Sequence, residues 1–182
     1  MRKSVTDWLL ASMIENQDRQ NGLPETDNYS AEDRAFMQMA IELSKENIES
    51  GGGPFGAVIV RDGKLISRGA NRVVPNNDPT AHGEVSAIRD ACKNLDTYQL
   101  DGCELYTTAE PCPMCLGAIL WAGISKVYYG CTCEDSEKIN FRDTAFYEIL
   151  ENGKKELMEE LDRDACQKLF RDYNGIEGHI IY

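Results

Sequence analysis

Runs of apolar residues predict β-strands in the middle of the chain. Residues 55–60 and 65–70 form the first two, and Asp62-Gly63 between them is typical of a tight hairpin turn. Residues 103–108 and 126–130 form the third and the fourth. We expect a short fifth strand within residues 155–160, which gives a five-stranded sheet.

Apolar residues at helical spacing predict helices around these strands. Ser30 is a suitable N-cap for a helix over residues 30–50, which ends at the glycine run that follows. A second helix carries its apolar face within residues 85–95, and residues 116–121 are the body of a third. This order predicts a three-layer α/β/α sandwich around a mixed sheet. The hairpin strands run antiparallel, and the strands joined by the third helix run parallel.

The two ends of the chain give weaker patterns. Residues 1–28 carry one amphipathic stripe that stops at Gly22 and Pro24, which predicts an N-terminal extension that is helical or partly disordered. Residues 73–77 are expected to be a loop, residues 136–150 helix or turn, and residues 154–173 have leucines at helical spacing. We therefore expect one domain over residues 29–182, preceded by the extension.

Two short motifs hold chemically reactive side chains near predicted helix starts. The motif HGE contains His82 and Glu84, and the motif PCPMC contains Cys112 and Cys115. In this order they match H-x-E followed by P-C-x-x-C, the signature of zinc-dependent base deaminases. One imidazole and two thiolates leave the fourth zinc position to water, as in catalytic rather than structural sites. The motifs predict one Zn²⁺ per chain, with Glu84 as a proton shuttle rather than a ligand.

Prolines indicate that both sets of ligands lie at helix N-termini. Pro79 suits the first turn of a helix, with Asp78 or Thr80 as its N-cap. Residues i and i+2 do not share a helix face, so His82 and Glu84 can approach one metal only beyond the helix end. The prolines of the cysteine motif likewise mark a helix start. Two positive helix ends would then help to keep the thiolates ionised.

Each motif alone has commoner explanations. A single C-x-x-C is more often a redox motif or half of a structural zinc site, and H-x-E is frequent by chance. The two motifs in this order, beside prolines and helix starts, are far more specific. The glycines at 51–53 lack the Gly-Lys-Ser/Thr of a phosphate loop and precede a strand, which favours a turn.

Composition narrows the substrate class and the compartment. The net charge of −12 makes a nucleic-acid partner unlikely, because proteins that bind nucleic acids usually present a basic patch. No stretch reaches the length of a membrane span, and the N-terminus lacks an apolar signal core, so we expect no membrane association. The seven cysteines, two of them assigned to the metal, are more typical of reduced thiols in a cytoplasmic protein than of a disulfide framework.

The chain resembles the cytidine deaminase-like superfamily, and within it the bacterial guanine deaminases and related purine or nucleoside deaminases. The resemblance covers residues 30–182 and is strongest at GGPFGAVIV (52–60), at NDPTAHGEVSAIR (77–89) and around PCPMC. The segment FRDTAFY (141–147) is similar to one that separates the purine branch from the pyrimidine branch. Gly83 departs from the family, which usually has alanine there, and this puts local stability rather than the chemistry in question.

The resemblance also implies residues that bind the base. In similar guanine deaminases an asparagine at the position of Asn71 hydrogen-bonds the base, and an aromatic residue at the position of Phe55 stacks on it. An aspartate matching Asp143 contacts the purine and assists proton transfer. A terminal tyrosine, here Tyr182, lies on a tail exchanged between two subunits, which implies a homodimer. The alternatives are a helix-capping or solvated carboxylate at Asp143 and a frayed chain end at Tyr182.

The resemblance implies zinc-dependent hydrolytic deamination of a small purine base, guanine, to xanthine and ammonia. The first alternative is the same chemistry on guanosine, another aminated heterocycle, cytosine, or adenosine in transfer RNA. The acidic charge argues against transfer RNA, and the segment around Asp143 argues against cytosine. The second alternative is a zinc-stabilised interaction protein without activity. Glu84 argues against it, because a purely structural site needs no proton shuttle.

Overall fold

The computed structural model describes residues 29–153, 158, 160–161 and 163–178. The described residues divide into two compact units, with the boundary between residues 144 and 145. The expectations for residues 1–28 and for Tyr182 lie outside the described residues. The boundaries of the predicted domain, 29–182, stay a prediction.

Most of the described helices and all of the described strands belong to the first unit. In chain order its elements are α1 (Ala31–Glu49), β1 (Gly56–Arg61), β2 (Lys64–Ala70), α2 (Val73–Asn76), α3 (Gly83–Leu95), β3 (Cys103–Ala109), α4 (Pro113–Ala122), β4 (Lys126–Cys131) and α5 (Cys133–Lys138). Helix α6 (Asp143–Glu148) begins at its end. A π-helix (Ile149–Gly153) and helix α7 (Arg163–Asn174) follow in the second unit.

The mixed sheet has the strand order β2-β1-β3-β4. Strand β1 pairs antiparallel with β2, and β3 pairs parallel with β4, which confirms the two predicted directions. Strand β1 also pairs antiparallel with β3. The predicted count of five strands is wrong for the described residues, which form four. Residues 155–160 lie largely outside that description, and the lysine and the glutamates among them have little preference for a strand.

The hairpin between β1 and β2 has the predicted tight turn. Asp62 and Gly63 have φ angles of +51° and +69°, the combination required by a type I′ turn. This turn matches the right-handed twist of the two strands, so Arg61 pairs directly with Lys64. The register shifts at an irregularity between Ile59 and Val60, beyond which the end of β2 at Ala70 lies beside the start of β1 at Gly56.

The side chains of β1 alternate between two cores, which makes the sandwich three-layered as predicted. One face packs against α1, in a cluster formed by Phe36, Ala40, Val58, Val60 and Tyr106. The other face packs against α3 and α4, in a cluster that includes Ala57, Ile59, Ala87, Leu105 and Ile119. Alternation of this kind is the normal consequence of the strand period of two.

Helix α1 begins as predicted, in a capping box. The hydroxyl of Ser30 accepts from the Asp33 amide at 3.0 Å, and the Asp33 carboxylate accepts from the Ser30 amide at 2.8 Å. Its buried face continues from Phe36 through polar residues, Ser44 and Asn47, at the helix end. Asn47 therefore points toward the interior of the protein, although a polar residue at this position is usually on the surface.

Two predictions before α3 are wrong. Residues 73–77, expected as a loop, contain the short helix α2, which ends where Asn77 adopts φ +50°. Helix α3 begins at Gly83, so Pro79 lies in a turn and neither Asp78 nor Thr80 is the N-cap. The physical reason is local, because Asp78 Oδ1 accepts from the Thr80 amide at 2.8 Å and from its hydroxyl at 2.6 Å. This Asx-turn competes with a helix start.

The segment after β4 contains several separate helices. The expected helix or turn over residues 136–150 resolves into the end of α5 and α6, and the described helix within residues 154–173 begins at Arg163. The seven cysteines, all of which lie in the described residues, form no disulfide with one another. Among the described residues, no helix is both long enough and apolar enough to span a membrane.

Gly69 of β2 should not tolerate alanine. A Cβ there would overlap the carbonyl oxygen of Gly83 and the amide nitrogen of Ala87, which are backbone atoms of α3. We expect Gly69→Ala to lower the free energy of unfolding by about 2–3 kcal/mol, the upper part of the range for overpacked sites. Urea denaturation followed by circular dichroism measures this change.

Arg68→Ala, on the exposed side of the same strand, is the matched control. It should stay within about 0.5 kcal/mol of the wild type, as is usual at surface positions. Equal stability of Gly69→Ala and Arg68→Ala would show that α3 can move away from β2 at little cost.

Candidate active site

Three potential metal ligands converge at one end of the sandwich. The imidazole Nδ1 of His82 lies 3.6 Å from Cys112 Sγ and 3.5 Å from Cys115 Sγ. The three ligand atoms all lie within 4.8 Å of one another. Both cysteines are buried, and His82 is half-buried. The predicted ligand set is therefore brought together although His82 and the cysteines come from different helices.

Helix N-termini position two of these ligands. His82 is the N-cap residue of α3, and Cys112 is the N-cap residue of α4, both with extended backbone angles. Pro113 occupies the first turn of α4, where its fixed φ suits a helix start. The positive ends of two helices therefore meet at the ligands and favour ionised thiolates, as the sequence predicted.

The two thiols are unequal. A hydrogen bond from Cys115 lowers the pKa of Cys112, and the nearby imidazole of His82 adds to this effect. The same hydrogen bond raises the pKa of Cys115, which keeps the proton. The hydrogen bond to the Cys112 thiolate also raises the pKa of His82. Cys112 is thus ready to bind a cation, and binding would release the proton of Cys115.

This cluster fits zinc. With Zn–S bonds of about 2.3 Å and Zn–N bonds of about 2.0 Å, tetrahedral ligands place nitrogen and sulfur about 3.5 Å apart. The distances from His82 to the two sulfur atoms are 3.6 and 3.5 Å. Imidazole and thiolate are also the ligands that zinc prefers. His82, Cys112 and Cys115 would hold it, and three protein ligands leave one position open for water.

Glu84 lies beside this cluster and is buried. Its Oε2 accepts from the Cys115 thiol at 3.5 Å, and its Oε1 accepts from the Thr107 hydroxyl at 3.3 Å. Burial raises the pKa of Glu84, because the interior penalises the charged form. The carboxyl is therefore held from both sides in an environment that favours exchange of a proton.

Gly83 is the first residue of α3, where the expected cost of glycine inside a helix does not apply in full. A Cβ at this position would lie 3.3 Å from the carbonyl oxygens of Gly69 and Phe55. Alanine there would push the helix start away from the sheet by a few tenths of an ångström. Glycine lets His82 and Glu84, its two neighbours, sit close to the ends of β1 and β2.

A cavity of about 350 Å³ opens above the cluster. His82, Glu84 and Cys112 form its floor, and Phe55, Asn71 and Asp143 line its walls. Burial raises the pKa of the half-buried Asp143. Apart from Tyr182, which lies outside the described residues, the structure places every predicted site residue at this cavity or at its metal cluster.

Four residues of this region had no predicted role, namely Phe141, Glu110, Thr107 and Asn47. Phe141 also lines the cavity, and its ring lies 4.7 Å from that of Phe55 in a T-shaped contact. Glu110 lines it as well, with Oε2 accepting from the Cys133 amide at 3.1 Å. Thr107 donates a hydrogen bond to Glu84, and Asn47 donates one to the Asn71 carbonyl. The position of Glu110 directly before the cysteine motif could have indicated that it lies at the site. The sequence around Thr107 and Asn47 contains no comparable indication.

We expect the purified chain to contain one zinc ion, and Cys112→Ser to contain less than about a tenth of that amount. Serine keeps the shape but loses the thiolate that stays ionised at neutral pH. Cys133→Ser is the control, since burial raises the pKa of Cys133 to about 12 and makes it a poor ligand. Metal analysis by mass spectrometry measures both, and zinc loss in the control alone would contradict the assignment.

The comparisons with known proteins agree with this geometry. Residues 30–131 match the family described as the cytidine and deoxycytidylate deaminase zinc-binding region. The guanine deaminase of Bacillus subtilis is 51% identical over 122 residues, which cover 66% of this chain and 78% of that protein. The tRNA-specific adenosine deaminase of Aquifex aeolicus is 46% identical over 94 residues, which cover 52% of this chain and 62% of that protein.

Solved structures agree as well. The crystal structure of guanine deaminase from Bacillus subtilis superposes with a TM-score of 0.72 at 42% sequence identity, over 81% of this chain and 98% of that one. The match extends beyond the metal motifs to the whole cytidine deaminase-like sandwich. The chain belongs to the zinc-dependent cytidine and deoxycytidylate deaminase family, whose members are hydrolases that act on C–N bonds.

Proposed function

We propose that this deaminase hydrolyses guanine to xanthine and ammonia. The observation that carries the proposal is the cavity itself, which combines the buried Glu84 beside the metal ligands with Asn71 and Asp143 on the walls. These groups can bind the polar edge of a base and move protons at its amino-bearing carbon. The similarity to the guanine deaminase of Bacillus subtilis supports the same substrate.

In the proposed mechanism Glu84 carries protons in both directions. Zinc, when bound, supplies a water molecule of lowered pKa next to this carboxylate. Glu84 accepts a proton from that water and delivers it to the ring nitrogen beside the amino-bearing carbon. The water oxygen bonds to that carbon. Glu84 then takes the second proton from the new hydroxyl group and passes it to the amino group, so that the C–N bond breaks and ammonia leaves. The hydrogen bond from Thr107 at 3.3 Å helps to hold Glu84 in reach of both positions.

The remaining residues bind the base. Asn71 is buried at the end of β2 and provides an amide that can both donate and accept. Phe55 and Phe141 provide aromatic surfaces for a flat ring. Asp143 lies where a carboxylate can accept from ring N–H groups, and its raised pKa suits proton transfer. Tyr182 is proposed to complete the site of the partner subunit.

The charge of the cavity supports a neutral base over a phosphorylated substrate. Three acidic residues line it, namely Glu84, Glu110 and Asp143, and among the described lining residues there is no lysine or arginine. A phosphate beside these carboxylates would meet like-charge repulsion, with no lysine or arginine among these described residues to pair with it. Guanine presents N–H donors on the edge that carries its amino group, which suits these carboxylates.

Adenosine in transfer RNA is the second candidate, because the similar protein of Aquifex aeolicus is a tRNA-specific adenosine deaminase. The net charge of −12 weighs against it, since phosphate contacts supply much of the affinity of proteins for nucleic acids. The acidic cavity weighs against it for the same reason. Guanosine and other aminated heterocycles stay open as substrates until they are assayed.

We also propose that the protein acts as a homodimer in the cytoplasm. Helix α4 is apolar around its whole circumference, yet Met114, Leu120 and Trp121 are 37%, 38% and 72% exposed. A helix that is apolar all round is normally buried, so a second copy of the chain is the natural cover for this face. The free thiols of all seven cysteines suit a reducing compartment.

The function is tested by ammonia release from the zinc-loaded protein with guanine, guanosine, adenine, adenosine, cytosine and cytidine. We expect turnover of guanine and at least about a hundredfold loss in Glu84→Gln, the usual scale for removing a general acid–base group. Glutamine keeps the shape of Glu84 but cannot carry the proton. Zinc content must be equal in both proteins, so that loss of activity reports the proton transfer.

Turnover of a different base alone would overturn the choice of guanine and keep the mechanism. Undiminished activity in Glu84→Gln would overturn the mechanism. A zinc-loaded protein that is silent with all six compounds would favour the alternative of a zinc-stabilised interaction protein.

The homodimer is tested by light scattering in line with size-exclusion chromatography. We expect twice the chain mass of 20.4 kDa for the wild type, and a lower mass for Leu120→Glu, because a buried charge opposes association. Ile48→Glu is the matched control, since Ile48 is also exposed but lies on α1. A monomeric wild type, or equal masses in all three proteins, would contradict the proposed interface.

A further inference from the structure

The glycine loop and the end of β2 form one wall of the cavity, and a single buried side chain joins them from behind. Asn47, at the end of α1, is only 4% exposed. Its amide nitrogen donates to the Gly53 carbonyl at 2.8 Å and to the Asn71 carbonyl at 2.7 Å. Both donors of the amide are therefore satisfied by the backbone of two different wall segments.

The acceptor of the same side chain is also used. Arg72 Nη1 donates to Asn47 Oδ1 at 3.3 Å and to the Ser50 hydroxyl at 2.9 Å. The Arg72 backbone amide donates to the Ala81 carbonyl at 2.8 Å, directly before the metal ligand His82. A continuous set of hydrogen bonds thus runs from Asn47 to the turn that carries His82.

The glycine loop is shaped around this amide. A Cβ on Gly52 would overlap the side-chain amide of Asn47, so any other residue there would displace one of them. The Gly52 amide also donates to the Asn47 carbonyl at 2.8 Å. At Gly53 a Cβ would lie 3.3 Å from the side-chain Cγ of Asn71. Asn47 therefore sets how closely the loop approaches the proposed base-reading side chain.

We propose that Asn47 is a positioning residue of the base site, which fixes Asn71 relative to the glycine loop and to the turn before His82. This inference rests on the proposed function insofar as Asn71 contacts the base. Asn71 is held on the other side by its backbone amide, which donates to the Phe55 carbonyl at 2.9 Å. With Asn47 in place, both backbone groups of Asn71 are anchored. Without it, the Asn71 carbonyl loses its donor, and the segment is held by the backbone amides of Asn71 and Arg72 alone on this side of the cavity.

Asn47→Asp tests this role with almost no change of volume. The carboxylate can still accept from Arg72, but it loses both donors and faces the carbonyls of Gly53 and Asn71. We expect amide hydrogen exchange over residues 51–55 and 71–74 to rise at least tenfold, about the effect of losing one or two buried hydrogen bonds. We also expect KM for guanine to rise at least about tenfold with kcat within about threefold, because binding rather than proton transfer is disturbed.

Asn94→Asp is the matched control. Asn94 is an exposed residue of α3 whose amide donates to the Ile66 carbonyl at 2.9 Å and to the Asp90 carboxylate at 3.2 Å, so the same chemical change removes two donated bonds away from the cavity. It should leave KM, kcat and the exchange of both wall segments unchanged. Asn47→Ser, which keeps one donor, should give a smaller change of KM than Asn47→Asp.

Two results would overturn the proposal: unchanged exchange over both wall segments in Asn47→Asp, or faster exchange with an unchanged KM. Global unfolding of both Asn47 variants would also overturn it, because Asn47 would then be needed for folding rather than for the site. If the wild type does not turn over guanine, the proposed function fails. The exchange data alone would then decide whether Asn47 holds the wall.

Discussion

The close approach of α3 to the sheet is the constraint on which the site depends. Gly69 and Gly83 face each other without side chains, and a Cβ on Gly69 would overlap the backbone of α3. This contact places His82, the N-cap of α3, at the sheet end where α4 also begins with Cys112. A small shift of α3 would move the His82 nitrogen away from the cysteine sulfur atoms. Tetrahedral zinc tolerates deviations of only a few tenths of an ångström in its metal–ligand distances. The glycines therefore serve the metal site as much as the fold.

The polar groups of the site are stable because neighbouring hydrogen bonds satisfy them. Glu84 is buried and would be costly there if isolated, but the Thr107 hydroxyl donates to it. Asn47, behind the cavity wall, is also a buried polar residue, and two backbone carbonyls accept hydrogen bonds from its amide. Groups of this kind are held in one geometry, because moving either partner leaves an unpaired buried atom. The floor and one wall of the cavity are thereby preorganised before a substrate enters.

The metal ligands and the order of elements could be predicted because their signals are local. H-x-E and P-C-x-x-C hold their chemistry within a few residues, and strand alternation shows directly in the apolar pattern of β1. The start of α3 could not be predicted in this way. Pro79 suggested a helix, but the Asp78 side chain forms a turn with Thr80 instead. Asn47 and Thr107 gave no signal, since their roles depend on residues distant in the sequence.

The polarity of the cavity and the apolar surface of α4 indicate different partners. A cavity with acidic residues and aromatic rings suits a small molecule that is flat, neutral and rich in N–H groups. The exposed side of α4 offers no such polar groups, because Met114, Leu120 and Trp121 are apolar or aromatic. Cys112, the N-cap of α4, and Cys115 lie at the start of this same helix. Any partner that packs on the exposed side of α4 therefore contacts the same helix that holds two of the three metal ligands.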